Sequence, residues 1–189
     1  PFRLNTGRVR DHWHTMTRTA LSPRLSAHMA EPFVEVHPDD AARLGLAPAG
    51  IAVLRTAHGR ARLRVLVTDR VRRGEVFAPM HWSAETASAA RIDALVPAVT
   101  DPLSGQPESK AAAVAVAPWP AAWFAFGVSC ARPAPDAGYW ARARIDAGWQ
   151  VELADRAAPA DLEKAARAAL CIGAGAHTLT VADRARGAA

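Results

Sequence analysis

Polar, basic and aromatic side chains are concentrated in the first 19 residues of the sequence, PFRLNTGRVRDHWHTMTRT. Four arginines in this stretch supply planar, fork-shaped donors that match phosphate oxygens. Gly7, which follows Thr6, has no side chain to keep a ligand away from the backbone N–H groups. Trp13 offers a flat face for a ring, and the histidines beside it add hydrogen-bond donors. The stretch therefore predicts a site for a large anionic heterocycle that carries phosphates and fused rings.

Each residue of this opening stretch also has a simpler explanation when it is taken alone. His12 and His14 would suit a metal site, but no third ligand at a matching spacing is evident. Histidines are also ordinary surface residues, and a single tryptophan such as Trp13 is as readily part of a core. The density of the cluster, rather than any one residue, favours a binding site.

Two further clusters could contribute to the same site. Residues 79–83, PMHWS, follow a predicted strand, and the loops at strand ends commonly carry binding residues. Residues 100–110, TDPLSGQPESK, form a long polar loop whose Lys110 stands just before an apolar strand. A solvated connection explains this last stretch equally well.

The elements that must position these clusters are short strands within residues 1–117. Alternating arginine and apolar residues at 60–67 predict a strand with one wet and one buried face. Pro38, the acids that follow it and Gly45 predict a short helix between them. The predicted strands are residues 33–36, 50–56, 60–67, 75–79 and 111–117. Such short strands with frequent turns favour a small closed barrel, which leaves no strand edge exposed.

A composition change near residue 117 predicts a domain boundary, because Pro118 and Pro120 interrupt the apolar run there. Residues 118–189 then predict a small α+β extension. Its elements are strands at residues 123–128, 139–145, 149–153 and 177–181 and a helix at residues 160–171. The tail from Ala182 is expected to be frayed.

Composition narrows the class of protein. The net charge is +5, almost all from arginine, and we attribute the general excess of arginine and alanine to GC-rich coding. Cys130 and Cys171 have no CxxC spacing, so two buried, reduced thiols are expected rather than a metal or redox pair. No apolar run reaches the roughly 18 residues of a membrane span, and no signal peptide is evident. We therefore expect a cytoplasmic protein without a membrane partner, cut from a longer chain because it begins in mid-pattern at Pro1.

The three clusters, in this order, resemble a known family. It is the C-terminal dinucleotide-binding domain of the molybdenum enzymes that carry bis-molybdopterin guanine dinucleotide: nitrate reductases, formate dehydrogenases and dimethyl sulfoxide reductases. Residues 6–15 are similar to the opening motif of that domain. Residues 16–25, MTRTALSPRL, and 101–110, DPLSGQPESK, look most like the assimilatory nitrate reductases. The resemblance covers residues 3–117, and residues 118–189 resemble more loosely the region that follows in the assimilatory enzymes.

The resemblance implies a fold and a set of binding residues. The implied fold class is mainly β with short helices: a double-psi β-barrel over residues 1–117 and a small α+β extension over residues 118–189. The implied cofactor-binding residues are Thr6, Gly7, Arg8, Val9, Arg10, Asp11, His12, Trp13, His14, Thr15, Asp93 and Lys110. Met80 matches a position that faces the substrate channel in relatives. Asp93 stands where relatives often have a cofactor-binding asparagine, and an ionised aspartate only accepts hydrogen bonds.

The function implied by the resemblance is a cofactor-binding domain of a molybdenum nitrate reductase, which reduces nitrate to nitrite with two electrons. The implied partners are the remaining domains of the same enzyme, one of them with an iron–sulfur cluster, and an electron-donor protein or reductase domain. Iron–sulfur clusters are held by cysteine thiolates, and this chain offers no candidates for them. We therefore predict that the isolated chain is inactive.

Three alternatives remain open at this stage. A formate dehydrogenase has a closely similar opening motif. A basic anion- or nucleic-acid-binding module fits the charge and the tryptophans loosely, although acids are well mixed outside the first stretch. A self-processing decarboxylase uses the same barrel but needs a Gly–Ser cleavage site, and none of the 12 glycines here is followed by serine. We expect no nucleic-acid partner.

Overall fold

β-Strands dominate the structure, and they fall into two compact units. A computed structural model describes residues 1–157, 160–169 and 180–183 of the chain. The first unit contains Pro1–Arg10, Pro32–Ala84 and Ala89–Trp119, and the second contains Asp11–Glu31, Glu85–Ser88 and the described residues from Pro120 onward. The break after Trp119 lies close to the boundary expected near residue 117. Two earlier stretches, Asp11–Glu31 and Glu85–Ser88, nevertheless group with the second unit.

The first unit is a closed six-stranded barrel. Its strands are β1 Phe2–Gly7, β2 Phe33–Val36, β3 Ile51–Arg55, β4 Arg60–Val67, β5 Glu75–Pro79 and β6 Ala112–Trp119. They lie in the order β1-β5-β2-β4-β3-β6, and β6 closes the barrel by pairing with β1. The pairs β1–β5 and β2–β4 are parallel, and the other pairs are antiparallel. The predicted fold class, a mainly β double-psi barrel with short helices, is confirmed.

Alternation along β4 shows why these residues form a barrel wall. Ala61, Leu63 and Val65 are buried in the barrel core, while the arginines between them stay partly exposed. A strand turns successive side chains to opposite faces, so this pattern produces one apolar and one polar face. Arg62 lies over the ring of Trp119, 5.3 Å from its centroid, and so covers the indole from the wet side.

The predicted short helix is present as α2, Pro38–Leu44, following the four-residue α1, Pro23–Ser26. It ends at Gly45, whose φ of 67° is the left-handed conformation that glycine adopts without strain. Asp40 is buried in its first turn and accepts hydrogen bonds from Gly74 N–H (2.7 Å) and Arg43 (2.9 Å). Burial by itself would raise the pKa of Asp40, but these bonds and the nearby arginine charges lower it below its ordinary value. The carboxylate thus ties α2 to the turn before β5.

The last barrel strand corrects one expectation. The prolines near residue 117 were expected to interrupt the apolar run, but β6 continues to Trp119, and Pro118 pairs in register with Ala52. Proline is tolerated near the end of a strand because few ladder hydrogen bonds are lost there. The strand therefore ends at Trp119, two residues later than expected.

From Pro120 onward, the described part of the second unit contains a four-stranded sheet and one helix. The elements are β7 Trp123–Ser129, β8 Tyr139–Ile145, β9 Gly148–Asp155, α3 Leu162–Ala169 and β10 Thr180–Asp183, and the sheet order is β10-β7-β9-β8. Ala166 of α3 packs on a core that includes Trp123 and Leu153. Of the predicted helix at 160–171, residues 170 and 171 lie outside the described part, as do residues 177–179 of the predicted last strand. The expectation that the tail frays from Ala182 is wrong for Ala182 and Asp183, since both pair with β7.

Two findings bear on the expectations from composition. Cys130 is exposed, which contradicts the expected burial of this thiol, while Cys171 lies outside the described residues. Among the residues that the structure describes, no helix has the length and apolar character needed to cross a membrane.

Candidate functional site

The end of β1 is the point where the first cluster meets the other two. Thr6 is almost fully buried, and its hydroxyl donates a 2.6 Å hydrogen bond to the carbonyl of Ser109. Gly7 accepts a 3.0 Å bond at its carbonyl from the backbone N–H of Met80. A β-carbon at Gly7 would lie 2.7 Å from the ring of Phe77, so a larger residue would displace that ring. The close packing explains why threonine and glycine occupy these two positions.

His81 anchors the next residues of the opening stretch. Its Nε2 accepts a 2.9 Å hydrogen bond from the backbone N–H of Val9, and its side chain is completely buried. Since Nε2 accepts, the imidazole is neutral and carries its proton on Nδ1. His81 lies in the PMHWS cluster, but sequence reasoning selected only Met80 there. The signal that was available is a histidine directly after the end of a predicted strand.

Lys110 joins the third cluster to the first. Its ammonium group donates a hydrogen bond to the carbonyl oxygen of Thr6. The carboxylate of Glu108 accepts from the backbone N–H groups of Lys110 (3.0 Å) and Ala111 (3.1 Å), which shapes the end of the polar loop. An ammonium group has three N–H donors, so the bond to Thr6 does not use up the donor capacity of this lysine.

A cleft of about 490 Å³ opens beside these contacts within the first unit. Thr6 of the first cluster, Met80 of the second and Ser109 of the third all line it. Most of the remaining lining is apolar, including Ile92 and Pro107. A largely apolar cleft with a few polar groups is typical of small-molecule binding sites. The three clusters that are far apart in sequence therefore share one cleft.

Asp93 supplies the carboxylate of this cleft. It lies in the 3-10 turn Ile92–Leu95 and forms an ion pair with Arg91, whose Nη2 is 2.8 Å from Oδ2. The hydrogen bond from Arg91 holds the pKa of Asp93 below its ordinary value. The group is therefore an ionised acceptor at neutral pH and offers no donor.

The remaining residues of the opening stretch are divided between the two units. Arg8 and Arg10 belong to the first unit and are exposed. Asp11 begins the part that belongs to the second unit, and its carboxylate lies 2.9 Å from Nδ1 of His28. The structure brings together in the first unit, from the predicted set, Thr6, Gly7, Arg8, Val9, Arg10, Met80, Asp93 and Lys110. The predicted residues Asp11, His12, Trp13, His14 and Thr15 form a separate group in the second unit.

Within that second group the side chains differ in exposure. His12 is buried, with Nδ1 3.2 Å from the Thr19 hydroxyl and Nε2 3.4 Å from the Met29 carbonyl. Burial lowers the pKa of His12, so its ring is neutral near pH 7 and holds the segment together. Trp13 is 59% exposed, and the ring of His14 meets it edge-on, with centroids 4.7 Å apart. The exposed indole of Trp13 presents the flat ring surface that the sequence predicted. Both ring nitrogens of His12, in contrast, lie against residues of the same segment, Thr19 and Met29.

The described residues also bear on whether side chains here could hold a metal ion. No group of three or more histidine, cysteine, aspartate or glutamate side chains in the described ranges is arranged to hold a metal ion. The polar groups of the cleft are instead donors and acceptors suited to an organic ligand with oxygen and nitrogen atoms at its edge.

Comparison with known proteins is consistent with this geometry. Residues 2–113 match the family described as "Molydopterin dinucleotide binding domain". A nitrate reductase of Klebsiella oxytoca is 50% identical over 123 residues, which are 65% of this chain and 14% of that protein. The alpha subunit of F420-dependent formate dehydrogenase 1 of Methanococcus maripaludis is 34% identical over 116 residues, 61% of this chain and 16% of that protein. The chain thus spans only a small part of the length of these relatives.

A solved structure supports the fold. Acetylene hydratase from Pelobacter acetylenicus matches with a TM-score of 0.53 at 19% identity, over 62% of this chain and 18% of that chain. The matched family region contains β1 to β5 and the three clusters at the cleft. The resemblance inferred from those clusters is therefore confirmed. Since the match extends over more than half of its residues, this chain belongs to the molydopterin dinucleotide binding domain family.

Proposed function

We propose that this chain is the domain that holds bis-molybdopterin guanine dinucleotide in a molybdenum nitrate reductase of the assimilatory type. The observation that carries the proposal is the convergence of Thr6, Met80 and Ser109, from three separate clusters, on one cleft beside Lys110. The 50% identity to a nitrate reductase supports nitrate as the substrate of the whole enzyme.

The cleft residues suit the ring systems of this cofactor. Ile92, Val96 and Pro97 provide apolar walls that pack against a fused ring. Guanine and pterin share an edge with a ring N–H next to an amino group, and both are hydrogen-bond donors. The ionised carboxylate of Asp93 accepts such bonds, so it suits this edge of guanine or pterin.

Charged groups of the first unit suit the phosphates. Arg8 and Arg10 are exposed beyond the end of β1 and carry guanidinium forks that match phosphate oxygens in pairs. Lys110 is held by Thr6 and adds a point charge at the same end of the strand. Thr6 and Gly7 are fixed by Ser109 and Met80, so the backbone that a ligand meets here is preorganised.

The bound group would supply the metal centre at which nitrate is reduced to nitrite with two electrons. The contribution of this chain is to bind and orient that group, while the remaining domains of the same enzyme provide an iron–sulfur cluster. Met80 lines the cleft and is 38% exposed, which suits a residue at the substrate channel. The proposed setting is the cytoplasm, with an electron-donor protein or reductase domain as partner and neither nucleic acid nor membrane bound.

The proposal is tested by titrating the chain with guanosine diphosphate and with adenosine diphosphate, followed by calorimetry and by backbone NMR. Guanosine diphosphate should bind saturably and shift the amides of Thr6, Asp93 and Ser109. Adenine lacks the paired donors of guanine, so we expect about tenfold weaker binding of the adenine nucleotide, the value of one or two hydrogen bonds. Asp93→Ala should abolish this preference, and Asp69→Ala, which removes an exposed carboxylate outside the cleft, should preserve it. Equal affinities, or shifts confined to the second unit, would contradict the proposal.

A formate dehydrogenase is the second candidate, because the Methanococcus maripaludis relative matches over nearly the same length at 34% identity. Both enzyme classes would use the same cleft. Assays of the complete enzyme that carries this domain, with nitrate and with formate as substrates, distinguish the two.

A further inference from the structure

Two stretches of chain between barrel strands belong to the second unit, together with the C-terminal sheet. Asp11–Glu31 follows directly after Thr6–Arg10 in sequence, and Glu85–Ser88 follows closely after the PMHWS cluster. Each stretch thus continues from residues of the proposed cofactor site. Nothing in the proposed function assigns a role to residues 120–189, which lie outside the matched family region.

We infer that the C-terminal extension is a scaffold that holds Asp11–Glu31, with its five predicted cofactor-binding residues, and that the hydrogen bond between Tyr139 and Glu31 is its latch. The role in cofactor positioning rests on the proposed function, whereas the latch itself does not. Tyr139 and Glu31 are positioning residues, since they act through the segment and not on a ligand.

The latch is a specific polar contact in a buried setting. The hydroxyl of Tyr139 donates a 2.7 Å hydrogen bond to Oε2 of Glu31, and Tyr139 has no exposed surface. A buried hydroxyl needs a partner, and a bond to a carboxylate is stronger than one between neutral groups. Glu31 is the last residue of the segment, so the bond fixes the point where the chain returns to the barrel.

The same strand also holds the second stretch. Residues 86–88 lie along β8, where Thr86 accepts from Arg142 N–H and Ser88 exchanges bonds with the backbone of Trp140, each at 2.9 Å. Ala87 and Ala141 form an antiparallel bridge at the centre of this contact. The edge of β8 that does not pair with β9 is thereby covered, and one strand anchors both stretches.

The segment needs such an anchor because its own structure is sparse. It contains one 3-10 turn, Thr19–Leu21, and the four-residue helix α1. His14 and Met16 have φ values of 45° and 60°, a left-handed backbone that is unfavourable for residues other than glycine. Strained conformations of this kind persist only where surrounding structure holds them.

The test compares hydrogen exchange of the full chain in four variants. Tyr139→Phe removes the donor and keeps the ring, and Glu31→Leu removes the acceptor from outside the sheet. Glu31→Gln keeps an acceptor oxygen and is the conservative rescue. Ser129→Ala is the matched control, because it removes a buried hydroxyl from the same sheet at a position remote in sequence from the segment.

We expect amides within Asp11–Glu31 to exchange about tenfold faster in Tyr139→Phe and in Glu31→Leu, as the loss of one hydrogen bond predicts. Glu31→Gln should keep most of the protection, Ser129→Ala should keep the wild-type rate, and β7 and β9 should keep theirs in every variant. Tyr139 is the single tyrosine of the chain, so a ¹³C label on its ζ carbon gives one NMR resonance. That resonance should move in Glu31→Leu and stay in place in Ser129→Ala.

Unchanged exchange of the segment in both Tyr139→Phe and Glu31→Leu would overturn the latch. So would faster exchange that spreads equally over the sheet. Loss of protection in Glu31→Gln equal to that in Glu31→Leu would also overturn it, because the glutamine keeps an acceptor oxygen. If the wild-type chain binds no guanosine diphosphate, the proposed function fails, and the exchange result still decides whether the latch exists.

Discussion

Replacement of His81 tests whether one buried acceptor holds the opening stretch of the site. In His81→Leu, Val9 N–H loses its 2.9 Å partner, whereas the volume of the buried side chain changes little. An unsatisfied backbone donor in a partly buried position costs about 1–3 kcal/mol. Burial of leucine instead of imidazole offsets about 1 kcal/mol of this. We therefore expect global stability to fall by only about 1 kcal/mol.

Amide exchange at Val9 is a more sensitive measurement than global stability. The burial of leucine offsets part of the loss in global stability, but it does not restore the hydrogen bond of Val9. Amide exchange at Val9 should accelerate about tenfold or more in His81→Leu. His81→Gln places an acceptor oxygen near the position of Nε2 and should retain most of the protection. Equal exchange rates in the leucine and glutamine variants would refute the reasoning, because only one of them keeps an acceptor. Urea unfolding followed by tryptophan fluorescence serves as the check on global stability.

Three further predictions concern the barrel and the isolated chain. The pKa of Asp40 is lower in the folded chain than in the unfolded chain, so its carboxylate stabilises the fold at pH values above about 4. This stabilisation is lost as the pH falls through the folded pKa. The urea midpoint of Asp40→Asn should therefore depend less on pH below about 4 than that of the wild type. Gly45→Ala should destabilise the chain by about 1 kcal/mol, because φ at this position is positive. Ala49→Gly should stabilise it by a similar amount, because φ of Ala49 is 57°. Thermal unfolding temperatures that shift in the same direction for both variants would argue against backbone strain at these positions. The chain supplied with cofactor, nitrate and a chemical reductant should produce no nitrite, since its two cysteines fall short of the four thiolates that a cluster takes; a measurable rate of nitrite formation would contradict this.

The strands and the helix of the barrel were predictable because their signals are local. The alternation at β4 and the proline and glycine that bracket α2 report the period and the ends of each element within a few residues. The end of β6 was predicted too early for the same reason. A local pattern does not reveal that Pro118 lies in register with Ala52 of another strand.

The residues of the candidate site were only partly predictable. The family resemblance pointed to Asp93 and Met80, which line the cleft. The pattern of residue types did not separate His12, which is buried within its segment, from the exposed Trp13 beside it. It also did not select His81, because nothing local shows that its ring meets Val9, 72 positions away in the sequence.

The sequence by itself determined the elements, the basic and aromatic character of the site, and the family resemblance, since all of these depend on residue type and short spacing. Only the tertiary structure decided that Thr6 meets Ser109, 103 positions away, and that Tyr139 holds Glu31, 108 positions away. Contacts of such separation depend on how the barrel closes and on how the second sheet pairs. Those arrangements are set by burial and hydrogen bonding of the whole chain together, which no short stretch of sequence encodes.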